Sequence, residues 1–195
     1  MGNIAHGMKK EDTMTPVYYE ILPVTLISNH AVLLQRCEDR DASSWLVPHQ
    51  PGVHPNSAIV RHLAAFFGDM FEPRASIVHS TSWRSSKQGE QLIITYLVAL
   101  PQRCWMHDWA ANGRIYMQRI GPVEQVHGDN LHAPENIEVD NVLAHALDHL
   151  ALLYSYDAHI QAVLEPGWLD LLQRRLPKPA GHFPPELFIS SLLTA

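Results

Sequence analysis

Histidine is the residue type in this chain that could carry chemistry, with 13 copies among 195 residues. Two of them, His145 and His149, lie four residues apart in the run AHALDHL. On a helix this spacing places both imidazole rings on one face, where they could bind a zinc ion. Leu143 and Leu147 mark the apolar stripe of the same helix, however, and the histidines lie opposite to it. We therefore expect both rings to face solvent without a metal, with a zinc site at this pair as the alternative.

A second group of histidines lies in a proline-rich loop and in the helix that follows it. His49 and His54 belong to the loop, and His62 belongs to the helix. They could form a histidine cluster, or could contact an anionic ligand when they are protonated. Loop histidines without a functional role are the alternative. These three residues are our first candidates for contact with a small molecule.

Tryptophan is the other residue type with a use in ligand binding. Trp83, Trp105 and Trp109 could stack on a base, although a position in a core or an interface is the more common use of tryptophan. The sequence contains no G-x-S-x-G motif, no P-loop and no dinucleotide-binding fingerprint. We therefore assign no catalytic residue.

The composition is that of an ordinary globular protein, with 46% hydrophobic and 17% charged residues. The net charge of −6 and the lack of a Lys/Arg cluster argue against a nucleic-acid partner. No apolar stretch approaches the roughly 20 residues of a membrane span, and the N-terminal residues lack the apolar run of a signal peptide. Two cysteines outside any CxxC pair do not suggest a disulfide framework. We expect a cytoplasmic protein that binds neither nucleic acid nor membrane.

The elements that must position these side chains are strands first and helices later. Alternating or apolar runs predict strands over 18–27, 31–36, 45–47, 75–83, 91–100 and 115–120, the first two joined by a turn centred on Asn29. After the polar residues 128–138, helices are predicted to begin at Asp140 and Asp157, the second ending at Pro166-Gly167 and a third covering 168–176. This order indicates an α+β fold.

One helix is predicted between the third and fourth strands. Asn56 or Ser57 would cap its start, and Gly68 would end it in a left-handed conformation. The helical spacing predicts a core-facing stripe of Val60, Leu63, Ala64 and Phe67. The opposite side is formed by Ala58, His62, Ala65 and Phe66. Because this side is largely apolar, we expect it to be covered by the C-terminal helices, a second subunit or an apolar ligand.

The segment Trp45 to Gly68, WLVPHQPGVHPNSAIVRHLAAFFG, resembles a Nudix box. In that family a strand ending in a W-x-x-P-like phrase leads into a Gly-rich loop and then into a helix with the pattern R-E-apolar-x-E-E-x-G. With the closing glycine in register, the matching residues are Arg61, Leu63 and Gly68, whereas the three glutamates are replaced by His62, Ala65 and Phe66. The preceding hairpin and the following aliphatic strand agree as well, so that the resemblance covers residues 17–125.

The resemblance implies a Nudix-like α/β/α sandwich with a mixed sheet and an all-helical C-terminal extension. We divide the chain accordingly into a flexible arm over 1–15, a Nudix-like domain over 16–127 and the extension over 128–195. In the family the glutamates hold divalent metal ions against a diphosphate. Alanine and phenylalanine offer no ligand for such ions, and a single imidazole is a poor one.

We therefore expect a catalytically degenerate Nudix-fold protein without a cofactor, which binds a nucleotide-like small molecule or a protein partner. The candidate ligand-binding residues are Arg61, His62, Phe66, His49 and His54. One alternative is a Nudix-type pyrophosphohydrolase of a nucleoside-diphosphate-type substrate, with Mg²⁺ or Zn²⁺ bound by histidines or by acids such as Asp69 and Glu72. Another is a purely structural subunit, for example of a homodimer.

Overall fold

The computed structural model describes residues 15–37, 45–85, 90–103, 105–120, 138–175 and 177, so nearly all of the predicted arm over 1–15 lies outside it. Its framework is a six-stranded mixed sheet. The strands are β1 (Val17–Ile27), β2 (His30–Arg36), β3 (Leu46–Pro48), β4 (Ile77–Ser85), β5 (Leu92–Ala99) and β6 (Ile115–Arg119). They lie in the order β4-β5-β1-β2-β6, and β3 pairs with β1.

Strand β1 is the centre of the sheet because it pairs with three other strands. Along one edge it runs parallel to β5 from Val17 to Val24. Its other edge is divided, with β3 antiparallel to Tyr18–Glu20 and β2 antiparallel to Val24–Ile27. The turn between β1 and β2 has positive φ at Ser28 (50°) and Asn29 (61°), as a two-residue hairpin turn requires. The turn predicted at Asn29 is therefore confirmed.

Helices cover both faces of the sheet. On one face lie α1 (Pro55–Phe67) and α2 (Trp105–Ala111), and on the other lie α3 (Val139–Tyr156), α4 (Ala158–Val163) and α5 (Pro166–Leu172). Side chains of β1 alternate between the two cores, Tyr19 and Ile21 to the first and Leu22, Val24 and Leu26 to the second. The architecture is thus the predicted α/β/α sandwich with a mixed sheet.

Helix α3 forms the third layer of the sandwich. The predicted stripe residues Leu143, Leu147 and Leu150 are at most 1% exposed and share a core with β1 and β2. The C-terminal part of the chain is helical, as expected, over its described residues up to 172. Because these helices cover the second face of the sheet, they are integral to its core. None of the described helices is long and apolar enough to cross a membrane.

Helix α1 begins two residues earlier than predicted. Its N-cap is His54, whose Nδ1 accepts a hydrogen bond from the backbone N–H of Asn56 at 3.2 Å. Pro55 occupies the first helical position, where the lack of an N–H costs nothing. At the other end Gly68 has the expected positive φ of 62°, but its ψ of −142° lies outside the left-handed helical region.

The buried stripe of α1 is rotated from the predicted one. The fully buried side chains are Ala58, Ile59, Leu63 and Phe67. Val60 and Ala64 are only partly buried, and Ala58, which we expected on the far side, is 5% exposed. The helix faces the sheet around Ile59, because its N-terminal turn is close to β4, where the Asn56 side-chain amide donates to the carbonyl of Val78 at 3.5 Å.

Several helix boundaries also differ from the predictions. The N-cap of α3 is Glu138 and not Asp140, whose carboxylate instead accepts a hydrogen bond from Gln118 of β6 at 2.9 Å. Asp157 caps α4, as predicted. Pro166 begins α5 at its first turn, two residues ahead of the predicted helix, and α2 was not predicted.

Candidate ligand-binding site

The face of α1 that resembles the metal-binding face of a Nudix box is filled by aromatic side chains. The Phe66 ring has its centroid 4.9 Å from that of Trp45 and 5.5 Å from that of Trp109, in edge-to-face geometry. It also lies 4.9 Å from the ring of Phe67. Edge-to-face pairs at these separations are attractive. The protein's own side chains therefore occupy this face.

Phe66 is covered in part by Trp45 and Trp109, and not by the C-terminal helices, which were one of the three covers that we expected. Trp45 immediately precedes β3, and Trp109 lies on α2. The C-terminal helices α3 to α5 pack on the opposite face of the sheet and do not take part in this cluster. The expectation that they cover Phe66 is wrong, because the sheet lies between them and α1.

Two arginine side chains lie over this aromatic cluster. The guanidinium carbon of Arg36 is 5.3 Å from the centroid of Phe66 and 5.9 Å from that of Trp45. The guanidinium carbon of Arg114 is 4.0 Å from the centroid of Trp109. All three distances are typical of cation–π contacts. We call Arg36, Trp45, Phe66, Trp109 and Arg114 the box-face cluster.

His62 lies at the edge of the box-face cluster. Its ring is edge-on to Trp45, with centroids 6.1 Å apart. Burial, and then the charge of Arg36, lower the pKa of His62 below its ordinary value. A neutral imidazole beside a guanidinium is therefore what α1 presents at the position of the first family glutamate. At the positions of the three family glutamates α1 thus offers an imidazole, a methyl group and a phenyl ring, whereas Mg²⁺ prefers oxygen ligands.

His49, in the loop that leads into α1, forms a hydrogen-bonded pair with Tyr19 of β1. The Tyr19 hydroxyl is 2.6 Å from Nδ1 of His49, and burial raises the pKa of this tyrosine. The hydroxyl therefore keeps its proton at neutral pH, and it either donates to an unprotonated Nδ1 or accepts from Nδ1–H, depending on the tautomer of His49. When the hydroxyl donates, the proton of a neutral imidazole is on Nε2. Because His49 is exposed, its Nε2–H in that tautomer is a donor that a ligand can reach.

His54 and Arg61 supply further donors on the exposed side of the loop and helix. Nδ1 of His54 accepts the Asn56 N–H, so a neutral His54 also carries its proton on Nε2. The Arg61 guanidinium donates to the Gln50 side chain at 3.4 Å and to the carbonyl of Ser57 at 3.3 Å. We call His49, His54 and Arg61 the loop donor group. Groups of this kind suit a ligand rich in acceptor atoms, such as a phosphate or a carboxylate.

The structure thus places the five predicted ligand-binding residues in two settings. His62 and Phe66 belong to or border the box-face cluster, whereas His49, His54 and Arg61 are exposed. Arg36 and Arg114 were not predicted. Arg36 is the last residue of β2 and Arg114 immediately precedes β6, and no motif indicates that these neighbouring strands bring them to Phe66 and Trp109.

His149 is not solvent-facing, so that expectation is wrong. Its Nε2 is 3.1 Å from Nε2 of His79 on β4, and the two rings are nearly parallel, at 12°. Burial, and then His79 and His145, lower the pKa of His149 to about 4. The prediction failed because α3 is buried around most of its circumference, including Asp148 on the supposed outer side. His145 is partly buried as well.

The acids that follow the box helix do not form a metal site with the histidines in the part of the chain that the structure describes. Within the described residues, no three or more histidine, cysteine, aspartate or glutamate side chains are arranged to bind a metal ion. Glu72, one of the acids after the box helix, pairs with Arg103 at 2.9 Å, and this contact lowers the pKa of Glu72. Asp69 is exposed in the short 3₁₀ turn that follows α1.

Comparison with known proteins supports the fold. No protein-family model matches the chain, and no curated protein is similar to it in sequence. The structure is similar to that of NrtR from Shewanella oneidensis, with a TM-score of 0.53 and 10% sequence identity over 92% of this chain and 85% of that chain. A MutT/nudix family protein from Enterococcus faecalis is also similar, at a TM-score of 0.48 and 7% identity over 92% and 81% of the two chains, which is too low to carry an argument. At this identity the likeness to NrtR establishes a Nudix-like fold and nothing about activity.

Proposed function

We propose that this protein is a non-hydrolytic Nudix-fold protein that binds a nucleotide-like small molecule through the loop donor group. The observation that carries the proposal is the packing of Phe66 against Trp45 and Trp109 under the guanidinium of Arg36. In the family this helix face carries the carboxylates. Here it is an aromatic surface with a positive charge over it.

Hydrolysis of a diphosphate by the family mechanism needs divalent metal ions to stabilise the phosphate charge and to activate water. Mg²⁺ prefers an octahedral shell of oxygen ligands. The box-face cluster offers no carboxylate, and its two guanidinium groups would repel a divalent cation. Fold and binding do not depend on these carboxylates, because the fold rests on apolar packing on both faces of the sheet.

Binding of an anionic ligand is supported by the loop donor group. His49 and His54 each use Nδ1 for a contact within the protein, which leaves Nε2 of each exposed ring for a ligand, and Arg61 adds a permanent charge. Charge-assisted hydrogen bonds of this kind are the stronger ones in proteins. A diphosphate group, with its many acceptor oxygens, matches this set of donors.

The proposal is tested by thermal unfolding with ADP, with inorganic pyrophosphate and with adenosine, alongside an assay for phosphate release in Mg²⁺ or Mn²⁺. Saturation with ADP at about 100 times its Kd stabilises the folded state by about 2.7 kcal/mol, or roughly 5–10 °C in a chain of this size. We expect this shift with ADP, a smaller one with adenosine, and no release of phosphate.

Variants make the test specific to the site. His49→Ala and Arg61→Ala should each reduce the shift, and His159→Ala, an exposed histidine on α4, should not. Metal-dependent turnover of about 1 s⁻¹ or more would instead support the hydrolase. If neither a shift nor turnover is observed, small-molecule binding is contradicted and a protein partner is favoured.

A further inference from the structure

A pair of histidines joins the helical layer to the edge of the sheet, on the face opposite to the proposed ligand site. His79 lies on the edge strand β4, where it pairs with Leu97 of β5, a member of the second core. Its Nε2 is 3.1 Å from Nε2 of His149 on α3. The ring centroids are 5.1 Å apart, so the two nitrogens are the closest parts of the rings. This is the geometry of an N–H···N hydrogen bond.

Such a bond depends on the number of protons that the pair carries. When both rings are neutral, one Nε2–H donates to the lone pair of the other. With one added proton the donor becomes an imidazolium and the bond persists. With two added protons both Nε2 atoms carry hydrogen, no lone pair remains between them, and two positive charges face each other. The contact must then open.

The surroundings of the pair are mixed in charge. Asp157, at the end of α3, favours the protonated form of His79, while burial has the larger and opposite effect and lowers its pKa. His145, one turn before His149 on α3, disfavours a charge on His149. The carboxylate of Asp148 is turned to Arg175, 2.6 Å away. Burial together with the neighbouring histidines therefore keeps His149 neutral near pH 7.

Helix α3 is also attached to the other edge of the sheet. Near its N-terminus, Asp140 accepts a hydrogen bond from Gln118 of β6. The histidine pair lies about two turns further along the helix. Loss of the pair would therefore free the middle and C-terminal turns of α3 first. These turns carry Leu150 and Leu153, which are buried in the second core.

We propose that His79 and His149 form a proton-sensitive latch, which holds α3 against β4 near neutral pH and releases it on acidification. A histidine whose pKa is lowered in the closed state adds stability that is complete above about pH 6.5 and is lost as the pH falls towards 4. Counting the proton of His149 alone, whose pKa is 6.5 when the contact is open and about 4 when it is closed, the equilibrium constant for opening rises about 30-fold between pH 7.5 and 5.0.

Hydrogen exchange of the α3 amides measures this equilibrium, after correction for the pH dependence of the intrinsic exchange rate. In the wild-type protein we expect protection over residues 149–155 to fall roughly 15- to 30-fold between pH 7.5 and 5.0. His149→Gln keeps an amide that can bond to His79 but cannot be protonated, and should show a change of less than about 3-fold. His79→Gln should reduce the response by less, because burial, the largest cause of the lowered pKa of His149, remains.

His159→Gln, which changes an exposed histidine on α4, is the matched control and should keep the wild-type response. Equal protection of the wild-type protein at both pH values would overturn the proposal. A full pH response in both His79→Gln and His149→Gln would also overturn it. Two variants are used so that the test remains valid if one of them folds poorly. Because no ligand is involved, failure here leaves the proposed function untouched.

Discussion

Phe66→Ala is expected to lower the free energy of unfolding by about 2–3 kcal/mol. A buried Phe→Ala change costs about 3–5 kcal/mol, and Phe66 is only partly buried, which reduces that figure. Its edge-to-face contacts with Trp45, Phe67 and Trp109 contribute about 0.5–1.5 kcal/mol each beyond burial, although such contributions are not additive. Urea unfolding followed by tryptophan fluorescence measures the loss.

The matched control is Ala65→Gln, the preceding position on α1, which is exposed. We expect this control to change the free energy of unfolding by no more than about 0.5 kcal/mol. A loss below about 1 kcal/mol for Phe66→Ala would refute the reasoning, because a ring packed against three others cannot be removed at so small a cost. It would mean that Phe66 is an idle surface side chain and that the box face is open.

Two further predictions concern the stability of the sheet and the helical layer. Arg84→Met should lower the free energy of unfolding, measured in urea, by about 3–5 kcal/mol. The change leaves Glu20, which is 2% exposed, without the arginine that binds its carboxylate at 2.6 and 2.7 Å. The double variant with Glu20→Gln should recover part of the loss. Asp157→Ala should cost about 1 kcal/mol in the same measurement, because its side chain accepts the first free N–H groups of α4, and Asp157→Asn should retain most of the stability.

The strands were predictable because each has a local signature. The hairpin of β1 and β2 follows from two β-rich runs around Asn29, a residue that accepts positive φ. Strands β4, β5 and β6 follow from alternating or apolar runs. What these runs could not give is the order of the strands, above all the division of one edge of β1 between β2 and β3.

The helices were less predictable because tertiary contacts set their ends and faces. His54 is an unusual cap, and it serves here because Pro55 removes the first N–H of α1. The stripe of α1 is centred on Ile59 because the helix also packs on β4, which the helical period alone does not indicate. Helix α2 has only seven residues, too few for a clear period, although Trp105 and Trp109 were noted as core candidates.

The candidate site was predictable only where its residues are local in the sequence. The loss of the family glutamates is a local fact of the sequence, at His62, Ala65 and Phe66. The position of Arg36 over Phe66 depends on the pairing of strands far apart in the chain. The partner of His149 is 70 residues away, so that a reading of α3 alone placed this histidine in solvent.

We expect the box face of α1 not to hold a divalent metal ion. This expectation is tested most directly by titrating the purified protein with Mn²⁺ and measuring the free ion by electron paramagnetic resonance. The free-ion signal should follow that of buffer up to roughly 1 mM, a concentration at which even a weak site with a binding free energy of about −4 kcal/mol would be half filled. Binding of one Mn²⁺ with a Kd below about 100 μM, lost on His62→Ala, would contradict this expectation.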